Sequence, residues 1–207
     1  MIMKTILSAV LFFFAAAAIA GEGYKVGDKA TDFKLKNVDG KYVSLKDFPN
    51  AKGFVVVFTC NHCPYAIAYQ DRLIALDKKY KAKGYPVIAI NPNDPSVQPA
   101  DSYEAMVTRS REKGFTFPYL YDEKHSVYKS YGATNTPHLY ILQKDKAGEL
   151  VVKYIGTIDD NYQNADAVQK PYVENALEAL LNNQEPNPSF TKAIGCSIKS
   201  KPAEAKL

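Results

Sequence analysis

Residues 54–64 read FVVVFTCNHCP. Phe54 to Thr59 is an unbroken β-branched and aromatic run, the pattern of a strand buried on both faces. Beyond Cys63, Tyr65, Tyr69, Leu73, Leu76 and Tyr80 recur at helical spacing, so a helix is expected to about Lys83, closed by Gly84. Residues 86–91, PVIAIN, form a second apolar run of strand length. Strand, helix, strand over this span is a βαβ unit, which requires a parallel pair. Cys60 and Cys63 fall at the junction of the first strand and the helix.

That junction suits redox chemistry. A helix amino terminus carries unpaired N–H groups and positive potential. Both favour a thiolate, the nucleophile of disulfide exchange. Two intervening residues let the sulfurs meet across one turn. Cys60 is expected to be partly exposed and to attack, and Cys63 to lie behind it and resolve the mixed disulfide. A protonated His62 would add positive charge and shift the couple towards the oxidising side. Two other readings exist. A zinc site would need a second ligand pair, and only Cys196, His125 and His138 remain, without paired spacing. A static disulfide fits an exported protein less well at a junction placed for reactivity.

Around the βαβ unit the chain reads as follows. Residues 31–36 and 41–45 flank Asp39-Gly40, a hairpin signal. Residues 91–101 form a loop. Ser102 to Lys113 is a helix capped by Ser102 or Asp101. Residues 117–120 are extended, and Lys124 to Tyr131 is a short helix closed by Gly132. His138–Leu142 and Leu150–Ile155 are strands close enough to pair antiparallel. Pro171 to Leu181 is a last amphipathic helix. The expected fold is α/β, a mixed central sheet with helices on both faces and an N-terminal hairpin. Residues 186–207 are read as a tail, flexible except near Ile194-Gly195-Cys196.

Composition narrows the function. The chain has 207 residues, 46% hydrophobic and 23% charged, with three cysteines. This is an ordinary globular balance, not a disordered chain or a disulfide-dense scaffold. A net charge of +4 is too small an excess to argue for nucleic acid. Residues 1–20, with Lys4, an apolar run and Ala18-Ile19-Ala20, have the anatomy of a signal peptide. The apolar stretch of about 15 residues is short of a membrane span. The mature chain is therefore expected outside the cytosol, periplasmic or extracellular, where a cysteine pair can stay oxidised. No later segment is long and apolar enough to span a membrane.

These motifs resemble the thioredoxin superfamily, in the redoxin branch of TlpA-like thiol-disulfide oxidoreductases and alkyl hydroperoxide reductase/thiol-specific antioxidant proteins. The resemblance runs from about Val26 to Leu181. It rests on FVVVFT followed by CNHCP, on residues 117–142 (FPYLYDEKHSVYKSYGATNTPHLYIL) and on VVKYIGTIDD over 151–160. It implies a three-layer thioredoxin-like fold over residues 21–185. It also implies a cis Pro137 opposite the cysteines, with Thr136 backbone groups left to pair with a bound substrate segment. Two positions depart from the family: Thr59 replaces the Trp often found before the first cysteine, and the strand lacks the buried acid of thioredoxin. Asp94 and Glu104 are weak substitutes.

The site set is thus Cys60 and Cys63 as catalytic residues, with His62, Thr136 and Pro137 tuning or lining the groove. Cys196 is a candidate third redox thiol that could bridge to Cys60. No metal and no cofactor are expected, and the partners are protein thiols or disulfides and a redox partner protein. The alternative is a peroxiredoxin-like thiol peroxidase using Cys60. The peroxidase pattern Pro-x-x-x-Thr/Ser-x-x-Cys finds Gly53 and Val57 in those slots, and Arg109 and Arg111 read as surface charges. A binding module that has lost catalysis is a third class, and two intact cysteines speak against it.

Overall fold

In a computed structural model describing residues 23–201, the central strand β3 (Gly53–Phe58) is buried along its whole length. Its side chains alternate between two cores, as strand geometry requires. Val55 and Val57 face one apolar cluster, and Phe54, Val56 and Phe58 face the other. The signal peptide expected over residues 1–20 lies outside the described residues. Among the described residues no helix is long and apolar enough to cross a membrane.

The remaining elements are β1 (Lys34–Asn37), β2 (Tyr42–Ser44), α1 (Pro64–Tyr80), β4 (Val87–Asn91), α2 (Tyr103–Lys113), β5 (Tyr119–Tyr121), α3 (Val127–Tyr131), β6 (Asn135–Thr136), β7 (His138–Lys144), β8 (Leu150–Gly156), α4 (Tyr172–Leu181) and β9 (Cys196–Ser197). The main sheet has strand order β2-β1-β5-β4-β3-β7-β8. β3 runs parallel to β4, and β4 to β5, while β7 is antiparallel to both β3 and β8. The βαβ unit, the hairpin and the β7–β8 pair expected from the sequence are all present.

One cluster sits between the sheet and α1 with α4. There Leu73, Leu76 and Tyr80 of α1 meet Val173 and Leu177 of α4. The other lies under α3 and the hairpin, where Tyr131 packs against Phe58 and Tyr140. The helical spacing read in α1 is therefore its core stripe.

Two segments differ in conformation from the sequence reading, beyond shifts at helix ends such as α1 stopping at Tyr80 rather than about Lys83. The short helix begins at Val127, not Lys124. Asp122 takes the backbone N–H groups of Ser126 and Tyr128 at 3.1 and 2.9 Å. His125 adopts φ 53°, so this stretch is a turn. Over residues 189–199 the tail is also not loose. Ser189 and Thr191 exchange backbone hydrogen bonds with Ile155, and β9 pairs antiparallel with β6.

Candidate active site

β3 ends beneath α1, and the intervening residues 59–63 carry the cysteines. Cys63 is the N-cap of α1 and Pro64 its first residue, a position where proline's missing N–H costs nothing. The Thr136–Pro137 peptide bond is cis, so Pro137 has the form the resemblance implies. β7 leads away from it alongside β3, with His138 opposite Phe58. The register sets Thr136 against the cysteines. Cys60 Sγ is 3.2 Å from Thr136 Oγ1, and Cys63 Sγ is 3.1 Å from the Thr136 carbonyl oxygen.

All three sulfurs converge here. Cys63 is disulfide-bonded to Cys196, with Cα atoms 6.0 Å apart. Cys60 is the free thiol. The bridge expected for Cys196, if it had a redox role, ran to Cys60. The observed partner is Cys63, because the antiparallel register Thr136–Cys196 lays the tail over the helix N-cap. The expectation of a partly exposed Cys60 also fails, since its relative exposure is 1%. Thr136 and the packing of Cys63, Ala66, Tyr65 and Cys196 close around it.

Burial therefore dominates the acidity of Cys60 and pushes its thiol up to about 11, and the Asp101 carboxylate adds to the rise. The Thr136 hydroxyl and the backbone amides of Cys63 and His62 pull the other way. In this closed state the thiol is held protonated.

Asp101 is the residue that sequence reasoning missed. It is completely buried and binds the active loop from the turn before α2. Its Oδ1 accepts the backbone N–H groups of Asn61 (2.7 Å) and His62 (3.2 Å). Its Oδ2 accepts from His62 Nδ1 (2.5 Å) and Asn93 Nδ2 (2.6 Å). The only sequence signal was its place as one of two helix caps. Ser102 is the cap, accepting from Ala105 N–H, and Asp101 is free for the loop. Asp94, by contrast, binds Ser96 on its own turn.

His62 sits between the two groups, its Nδ1 also 3.7 Å from Cys60 Sγ. Asn61 donates to the Ala100 carbonyl and accepts from the Tyr119 hydroxyl. Arg109 is not merely a surface charge. It is half-buried and reaches the Asn61 carbonyl at 3.4 Å.

The donor atoms of Cys60, His62 and Asp101 lie within 4.8 Å of one another. Four N–H donors already engage the Asp101 carboxylate, so this set is committed to holding the loop. What the arrangement can do is pass a disulfide among three sulfurs beside the cis-proline turn.

The AhpC/TSA family pattern matches residues 26–154. The thiol-disulfide oxidoreductase ResA of Halalkalibacterium halodurans is 26% identical over 144 residues, covering 70% of this chain and 74% of that protein. The protein of the same name from Oceanobacillus iheyensis is 30% identical over 157 residues, covering 71% and 76%. The crystal structure of an uncharacterized conserved protein from Geobacillus kaustophilus superposes with a TM-score of 0.79 at 40% identity, covering 86% of this chain and 94% of that one.

Proposed function

The chain belongs to the AhpC/TSA family, and from that premise we propose that it is an exported thiol-disulfide oxidoreductase working through Cys60, Cys63 and Cys196. The observation that carries this reading is the meeting of the three cysteines at the Thr136–Pro137 turn, with one disulfide and one free thiol present together. Its ResA relatives support the reaction class. The residues 1–20 pattern supports export.

The chemistry is thiol-disulfide exchange. The Cys60 thiolate attacks a substrate disulfide, and the first substrate sulfur leaves as a thiol. Cys63 attacks the mixed disulfide, releasing the second and leaving Cys60–Cys63. Cys196 then attacks Cys63, giving Cys63–Cys196 and returning Cys60 as a thiol. The substrate is reduced by two electrons and the enzyme oxidised by two. The bonding state in the structure is the end of this relay. The reverse sequence oxidises a dithiol. His62 and Asp101 hold the loop in shape, and Thr136 with Pro137 lines the groove.

A thiol peroxidase using Cys60 is the second reading, favoured by a disulfide that reaches a distant cysteine. The apolar Val57, in the slot where that pattern needs a hydroxyl residue, weighs against it. The two are separated by assaying insulin disulfide reduction and peroxide consumption side by side. The exchange reading expects turnover in the first and none in the second.

A further inference from the structure

The segment that carries Cys196 does more than supply a sulfur. β9 pairs antiparallel with β6, in the register Asn135–Ser197 and Thr136–Cys196. Ile198 N–H donates to the Thr134 carbonyl at 3.1 Å. Asn135 Nδ2 donates to the Gly195 carbonyl at 2.9 Å. Lys199 is fixed at both ends, its N–H on Asn93 Oδ1 and its carbonyl on Asp94 N–H. The backbone groups beside the proline turn, which an incoming peptide would use, are thus occupied by the chain itself.

The fit is close enough to set a residue type. A Cβ built on Gly195 would lie 2.3 Å from the Thr136 carbonyl oxygen and 2.6 Å from its carbon. Those are backbone atoms of the cis-proline turn and have no room to give. Only glycine lets an extended strand with its cysteine at the Thr136 position lie this close. Both Cys60 and Cys63 are buried beneath it, at 1% and 0% exposure.

We propose that residues 194–198 are a built-in occupant of the peptide edge, standing in for an extended Gly-Cys segment of a partner protein and closed over the site by the Cys63–Cys196 bond. This rests on the oxidoreductase reading. Closing is an internal exchange: the Cys196 thiolate attacks Cys63 Sγ of a Cys60–Cys63 disulfide. The Cys63–Cys196 bond forms and the Cys60–Cys63 bond breaks. Cys60 leaves as a thiolate and takes the proton that Cys196 gave up. Nothing is oxidised or reduced overall, and the reverse step opens the edge. A tethered strand competes with external segments at a high effective concentration.

The test uses the full mature chain, oxidised, and the synthetic peptide TKAIGCSIK, which copies residues 191–199. A second peptide carries Val in place of Gly before its cysteine. Mixed disulfide with the chain is followed by mass spectrometry, with glutathione as a small-thiol control. Cys196→Ser is expected to capture the Gly-Cys peptide at a concentration at least about tenfold lower than the wild type, because the tethered competitor is gone. The Val-Cys peptide is expected to need at least about tenfold more. Gly195→Val, which keeps all three sulfurs, is expected to speed amide exchange at residues 134–136 and 196–198 and to raise peptide capture.

Equal capture by wild type and both variants, or equal capture of the two peptides, with glutathione exchange intact, overturns the proposal and leaves the oxidoreductase reading standing. No exchange with glutathione in any form overturns both.

Discussion

Asp101→Asn is expected to weaken the fold while making Cys60 more reactive. The substitution keeps the shape and the oxygen that takes the Asn61 and His62 amides. It turns the other oxygen into an N–H₂ group facing Asn93 Nδ2 and His62 Nδ1. His62 can answer by moving its proton to Nε2 and accepting. Asn93 is fully buried and has no such recourse. One stranded buried donor costs about 1–3 kcal/mol, and loss of charge from the two amide bonds adds to it, so a total near 2–4 kcal/mol is expected. The thiol responds in the other direction. A unit charge within 4.8 Å of Cys60 at an effective dielectric near 20 interacts at about 3.5 kcal/mol or more. Spread over two oxygens and four donors, it is worth on the order of one to two pKa units. In the Cys63–Cys196 form Cys60 is the one free cysteine, so alkylation reads it alone. The midpoint of its pH profile should fall from near 11, and guanidinium unfolding should report the lost stability. A midpoint that rises, or a stability loss under about 1 kcal/mol, would refute the assigned role, the first by showing that Asp101 with His62 supports the thiolate.

Three further outcomes are expected. Burial holds His138 at about 4, below its ordinary 6.5. The unfolded chain therefore takes a proton first, and stability should fall by about 3 kcal/mol as pH drops from about 6.5 to about 4. His138→Gln, which can still accept from Thr134 N–H, should flatten that part of the stability profile in urea titrations. Asp159 is 5% exposed and takes both Arg72 Nη1 at 2.6 Å and the Tyr69 hydroxyl at 2.8 Å; Asp159→Ala should cost about 1–3 kcal/mol in denaturant unfolding, because it strips the buried Tyr69 hydroxyl of its acceptor and the half-buried Arg72, which keeps the Asn161 and Tyr162 carbonyls, of its partner charge. Cys60→Ser should abolish insulin reduction, and Cys63→Ser should accumulate mixed disulfides on Cys60, seen as adducts on non-reducing gels; a Cys63→Ser chain that turns over normally contradicts the relay.

The parts of the fold legible in the sequence are those written in local periodicity. The FVVVFT run, the four- and three-residue spacing of α1 and the PVIAIN strand each carry their own signal, and together they leave little choice but a parallel βαβ unit. The place of Cys60 and Cys63 at a strand-to-helix junction is readable because their spacing and the flanking runs are local facts. Pro137 came from resemblance, and the structure has it cis. Asp101 was not readable. It lies forty residues from Asn61, and nothing in residues 91–101 distinguishes an acid that caps its own helix from one that binds another loop. The partner of Cys196 was misjudged for a related reason. A short polar tail with scattered prolines reads as loose, yet Gly195 and two strand residues suffice to seat it once the Thr136 edge exists. Pairings of that kind depend on tertiary register, which a single sequence does not display.

The central claim is that a disulfide moves among three convergent sulfurs, with Cys63 as the shared member. It is tested most directly by equilibrating the mature chain with glutathione across a range of ratios, quenching with an alkylating agent and mapping every bridge by mass. The account predicts one two-electron transition with a midpoint between about −300 and about −120 mV, and Cys63 in every intramolecular bridge, either Cys60–Cys63 or Cys63–Cys196. A Cys60–Cys196 bridge as the oxidised product, or no transition in that range, would contradict it.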